Sequence, residues 1–89
     1  MAFRIETAAR GRLTIFALSG RIEKLAIEEL RKLLEGQEEW NEIVLDLKEV
    51  RLVDREVVHF FIGCETDGVT LENCTPDIRE WMEREKAES

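Results

Sequence analysis

Few residues in this chain are equipped for chemistry. They are one histidine, His59, two cysteines, Cys64 and Cys74, and a charged run, Asp54-Arg55-Glu56. His59 and Cys64 are five residues apart, which on a helix sets them roughly 140° apart around the axis and rules out a local dyad. One histidine and two cysteines at these spacings match no zinc pattern. Cys64 sits among apolar residues at helical spacing and reads as a small core hydrophobe. Cys74 lies in Asn73-Cys74-Thr75, just ahead of a helix start, a position that can lower a thiol pKa; an inert or core thiol is still the better reading. No Gly-rich loop follows a strand, as a phosphate cradle requires. There is no nucleophile elbow and no second histidine to serve one. The many carboxylates fall mostly on helix faces, where they solvate the surface. Neither catalysis, metal nor cofactor is expected, and an enzyme or ligand carrier built on Cys74 or an acid pair is the weakest reading.

The charged run is more informative. Asp54 precedes a helical period and can cap it, accepting a hydrogen bond from a first-turn N–H. Glu56 then sits in the first turn, where the helix dipole favours a negative charge by about 0.3–1 kcal/mol. That alone would explain it. Arg55 can support a partner surface, since arginine is enriched where interfaces concentrate their energy, or it can pair with a nearby acid for little energy. His59 falls on the polar side of the same helix, one turn on.

The elements that must position these residues follow from periodicity. Phe3 to Glu6 alternates apolar and polar like an edge strand, and Ala9-Arg10-Gly11 supplies a turn. LTIFAL (13–18) reads as a buried strand ended by Ser19-Gly20. Residues 25–34 are helical: Ala26, Leu30, Leu33 and Leu34 share a stripe with Ile27 beside them, and Gly36 caps the end. Trp40 is expected to pack at the corner that leads to a second buried strand, IVLDL (43–47). From Asp54 a helical period returns. Val57, Phe60, Phe61 and Cys64 share one side, flanked by Val58 and Ile62, and Asp67-Gly68 ends it. Residues 69–71 read as a short third core strand. Thr75-Pro76 opens a last helix, with Thr as N-cap and Pro at the first helical position. Ile78, Trp81 and Met82 form its stripe, and residues 82–89 carry a charged run expected to fray.

Eighty-nine residues make one domain. A chain of this length buries roughly 60–65% of its unfolded surface, enough for one two-layer core. With 44% hydrophobic and 37% charged residues the composition is globular, not disordered. The net charge of −7 argues against nucleic acid, which needs clustered Lys and Arg, and against an anionic membrane surface. It suits a protein partner with a basic patch. No apolar run reaches the length of about 20 residues of a membrane span, and MAFRIETAARG lacks the apolar core of a signal peptide. A cytoplasmic protein with free thiols is expected.

ALSGRIEKLAIEELRKLLE and IVLDLKEVRLVD, in this order and spacing, resemble the STAS family, the sulphate-transporter and anti-sigma-antagonist domain, over about residues 10–85. The resemblance implies a small α/β domain: a mostly parallel sheet of about four strands, an N-terminal antiparallel hairpin and three helices. It implies a non-catalytic interaction switch whose partner is an anti-sigma factor with kinase activity. The family's signature turn reads Asp-Ser-Ser-Gly, and the kinase phosphorylates the second Ser. Aligned on Asp54, this chain has Arg55, Glu56 and Val57 instead. The acceptor hydroxyl is missing, so phosphorylation cannot act there, and Glu56 would stand as a permanent, weaker copy of a phosphoserine. The resemblance places the partner surface on Ser19, Gly20, Arg21 and Glu23 and on Asp54, Arg55, Glu56 and His59. The alternative is a structural subunit that reuses the fold and self-associates through the last helix, with Trp81 as anchor.

Overall fold

Strand and helix periods resolve into a two-layer α/β architecture in the computed structural model, which describes residues 3–38 and 41–88. The corner expected at Trp40 lies outside these residues. The seven elements come in the expected order: β1 (Phe3–Arg10), β2 (Leu13–Ile22), α1 (Lys24–Glu35), β3 (Glu42–Val53), α2 (Arg55–Thr66), β4 (Thr70–Glu72) and α3 (Pro76–Glu88). The strands lie in the order β1-β2-β3-β4. β1 and β2 pair antiparallel, while β2–β3 and β3–β4 pair parallel.

The two parallel connections step the same way across the sheet. Right-handed crossovers of that kind set both connecting helices on one face. The burial pattern agrees. Phe16, Leu18, Leu45 and Leu47 on the strands share one core cluster with Leu30 of α1, Phe61 of α2 and Met82 of α3. Val44, buried on the opposite side of β3, lies outside that cluster. On that open face Leu13, Ile15 and Ala17 are half-buried.

Several strands run further than their polarity suggested. β1 continues to Arg10 because β2 offers it a partner at every position, in register from Phe3↔Gly20 to Arg10↔Leu13. The turn therefore falls on Gly11 and Arg12, with Gly11 at φ 62, a left-handed value open to a residue without Cβ. Ser19-Gly20 does not end β2. The register with β3 shifts between Ala17 and Ser19 and again between Gly20 and Arg21, and Gly20 has φ 88. The Gly thus bends a strand that goes on to Ile22, as glycines at bulges do. β3 likewise runs past Leu47 to Val53, because the bulged end of β2 still offers it hydrogen bonds. β4 is shifted by one residue from the expected 69–71.

The helix ends follow local chemistry. The Thr75 hydroxyl accepts from the Ile78 N–H at 3.3 Å, with Pro76 at the first helical position. Gly36 takes the C-cap of α1, its N–H donating to the Lys32 and Leu33 carbonyls while the Gln37 N–H donates to that of Leu34. The fraying expected after Met82 is not seen: α3 stays helical to Glu88. Its Met82 is fully buried and Glu85 is held by α2, so the tail has partners that its charge did not advertise. Among the described residues no helix is long and apolar enough to cross a membrane.

Candidate functional site

Parallel neighbours deliver their C-terminal ends to the same edge of a sheet, and that edge is where open α/β sheets present functional groups. Here the last pair is Ile22↔Val53. The next residue on each chain, Glu23 and Asp54, is the N-cap of a helix. The two segments named from sequence, 19–23 and 54–59, are thereby brought side by side.

Their residues play different parts. Ser19 and Gly20 are half-buried inside β2, as bulged strand rather than turn. Arg21 is exposed and pairs across the ladder with Leu52. Glu23 caps α1 through its carbonyl, which accepts from the Ile27 N–H at 3.1 Å; its side chain makes no cap bond. Asp54 does cap with its side chain, accepting from the Val57 N–H at 2.9 Å. Its carbonyl takes the Val58 N–H at 3.0 Å. Asp54 is therefore structural as well as exposed. Glu56 is exposed in the first turn of α2, at one end of a groove of about 300 Å³ shared with Ile27 and Arg31 of α1.

Two of the named residues, Arg55 and His59, bond to α3. The Glu85 carboxylate on α3 accepts from Arg55 Nε at 3.1 Å and lies 2.6 Å from His59 Nε2. Its other oxygen accepts from Trp81 Nε1 at 3.3 Å. Glu85 has only 11% of its side chain exposed. The His59 bond first, with Arg55 and Trp81 behind it, holds its carboxyl below the usual range. An ionised carboxylate can only accept, so His59 carries its proton on Nε2. A second link between the same helices is the Arg79–Glu65 pair, bidentate at 3.0 and 3.0 Å. The hydrogen bonds from Arg79 hold Glu65 below, and Arg79 above, their usual ranges.

Both cysteines are free, Cys64 buried and Cys74 half-buried. Burial pushes the Cys64 thiol up to about 11. Burial also raises Cys74, which outweighs the lowering expected from its place before a helix. Ile78 and Met82 are buried in the core, leaving Trp81 as the part-exposed member of the last helix's stripe.

Sequence reading missed three residues. Leu25 is 69% exposed and Leu52 55% exposed, the two exposed large hydrophobics among the described residues. Both stand at the β2/β3 strand ends, Leu25 in the first turn of α1 and Leu52 beside Arg21. A signal for Leu25 was available, because it falls outside the apolar stripe of its helix. Leu52 carried none, since the bulges that turn it outward are invisible in composition. Glu85, one acid among many in its helix, carried none either.

No family model matches the chain, and no curated protein matches it. Among solved structures it is similar to one described as "Crystal Structure Analysis of Mglu", with a TM-score of 0.55 and 24% identity over 75% of this chain. The match covers 18% of that chain, so this protein spans under a fifth of its length. The likeness concerns the fold.

Proposed function

We propose that this chain is a non-catalytic, STAS-like protein-interaction module of the cytoplasm, whose partner surface is the edge where β2 and β3 hand over to α1 and α2. The observation that carries the reading is the pair of exposed leucines, Leu25 and Leu52, at that edge. Exposing large apolar side chains costs hydration free energy, and a cluster of them rimmed by charge marks an interaction site. Exposed charges stand beside them: Arg21 pairs across the ladder with Leu52, and Glu23 is the N-cap two residues ahead of Leu25. Arg55 and His59 contribute from behind, by tying α2 to Glu85.

In this reading Glu56 replaces the family's phosphoacceptor and gives the surface a fixed charge. The partner resembles an anti-sigma factor with kinase activity. Burial raises the thiols of both Cys64 and Cys74, which supports a binding role over a thiolate-based catalytic one. Self-association through α3 has less support, because Ile78 and Met82 are spent on the chain's own core.

The test is affinity capture from native extract with mass spectrometry, comparing the wild type with Leu25→Asp and Glu56→Ser. The reading expects an anti-sigma-type kinase that Leu25→Asp no longer retains and that binds Glu56→Ser with altered affinity. A partner set indifferent to both substitutions would remove the surface from consideration.

A further inference from the structure

The two edges of the sheet are finished differently. β4, at one edge, is three residues long. β1, at the other, runs for eight, and no strand pairs with its outer side among the described residues. Proteins guard such an edge with prolines, lysines, bulges or a short strand. β1 has no Pro and no Lys, and its register with β2 is unbroken from Phe3 to Arg10. Its outward backbone N–H and C=O groups are therefore open to another strand.

Its side chains decide which strand. Phe3 and Ile5 pack against the core, so alternation sends Arg4, Glu6, Ala8 and Arg10 to the face without helices. Residues 6–10 are all exposed. A groove of about 390 Å³ lies along this stretch, lined by Ala8, Ala9, Arg10, Leu13 and Ile15. Ala8 also heads a row that crosses the sheet through Ile15 and Val44. Glu6 has one charged partner, Arg4 Nη2 at 2.9 Å, while Arg10 makes no ion pair among the described residues.

A second copy that adds its own β1 antiparallel to this edge is related to the first by a two-fold axis perpendicular to the sheet. Directly opposed residues then share a face, so even-numbered residues meet even-numbered ones. An axis at Glu6 sets Glu6 against itself, and an axis at Thr7 sets Arg4 against Arg10; like charges directly opposed are unfavourable. An axis at Ile5 opposes Arg4 and Glu6, which already bond within the strand, and leaves Arg10 unmatched. An axis at Ala8 opposes Glu6 and Arg10 on both sides of the centre. It also lines up the Ala8–Ile15–Val44 rows of the two copies.

We propose that the free edge of β1 pairs with β1 of a second copy of this chain, antiparallel about Ala8, so that the two sheets run on as one and each Glu6 carboxylate accepts from Arg4 of its own strand and Arg10 of the other copy. Such a contact is self-complementary and closes at two. It uses neither Leu25, Leu52 nor α3, and it does not depend on the STAS-like reading.

The experiment is sedimentation equilibrium of the full chain over a range of concentrations, with circular dichroism to show that each variant folds. The pairing spans residues 6–10 only, well short of a standard interface, so the dimer should form between about 10 µM and 1 mM. Glu6→Arg and Arg10→Glu each turn both opposed pairs into like charges and should weaken the dimer by roughly tenfold or more. The two substitutions in one chain restore opposite charges and should return the dimer to wild-type strength. Mixing the two single variants should give a heterodimer at concentrations where neither associates alone. Leu25→Asp and Trp81→Ala should leave the dimer unchanged. A monomer throughout that range overturns the proposal. So does a dimer indifferent to the single variants, a failure of both the double variant and the mixture to restore association, or a dimer that Trp81→Ala abolishes.

Discussion

The strand-end surface and the α2–α3 seam begin at the same place, Asp54, and are built on opposite terms. At the seam, charged groups meet partners: Glu85 holds Arg55, His59 and Trp81, and Glu65 holds Arg79 in a fork. Apolar groups there are out of water, with Ile78 and Met82 in the core. At the strand ends, Leu25 and Leu52 face solvent and Arg21 and Glu56 stand exposed. A region that satisfies its own groups contributes to stability and offers a partner little. A region that leaves them unsatisfied contributes little to stability and leaves free energy for association. On the proposed reading, stability lies with the seam and recognition with the strand ends.

The largest test of that contrast lies beneath the seam. Phe61 is fully buried between the sheet and the helices. Phe61→Ala should cost about 3–5 kcal/mol in a denaturant titration, close to the whole stability of a small domain. Next is the shared boundary. Asp54→Ala removes the cap bond to the Val57 N–H and should cost about 1 kcal/mol, with Asp54→Ser restoring most of it.

Breaking the fork is expected to do less. Arg79→Ala should cost about 0.2–1 kcal/mol, because the pair is part-exposed and screened by solvent. The same links predict the pH response. Glu65 and Glu85 both have their carboxyls held below the usual range in the fold. Each therefore stabilises the fold above the ordinary glutamate value of about 4.3, and that stability is lost as pH falls through the depressed folded values. Melting temperature should drop below about pH 4.3, and the double variant Glu65→Gln, Glu85→Gln should show a shallower acid limb. An unchanged limb would mean that the seam is not where the acid response originates.

The smallest effect on stability should come from Leu25→Asp. It ought to fall within about 0.5 kcal/mol of the wild type, while abolishing partner capture. If it unfolds the domain instead, Leu25 belongs to the core and the contrast fails.

Much of the fold was legible because local chemistry and periodicity agreed. Thr75-Pro76 and Asp54 marked helix starts whose orphan N–H groups take those side chains, and Gly36 marked the end of α1, although its φ of -82 is one any residue can adopt. LTIFAL and IVLDL marked strands that later proved central. Ser19-Gly20 misled, because a glycine that bends a strand and one that ends it look alike until a neighbouring strand continues the ladder. The fraying expected over 82–89 failed for a similar reason: exposed charge and charge with a partner on another helix have the same letters.

At the candidate site, sequence placed Asp54 and Glu56 at a helix start, and the cap bond is there. Pairing Glu23 with Asp54 at one sheet edge also follows from parallel strands of matched order. The direction of the side chains did not. Arg55 and His59 turn toward α3 because Glu85, thirty and twenty-six residues away in the chain, sits across from them.

By itself the sequence determined the element order, the helix caps at Asp54 and Thr75, the apolar stripes and the carboxylate at residue 56. These depend on neighbours within a turn or two, or on the mere identity of a residue. Tertiary structure alone decided where β2 and β3 stop, which leucines stay in water, which acid holds His59, and that β4 pairs with only three residues of β3. Each of those depends on what a distant segment brings alongside, and pairing between distant segments leaves no local periodicity to read.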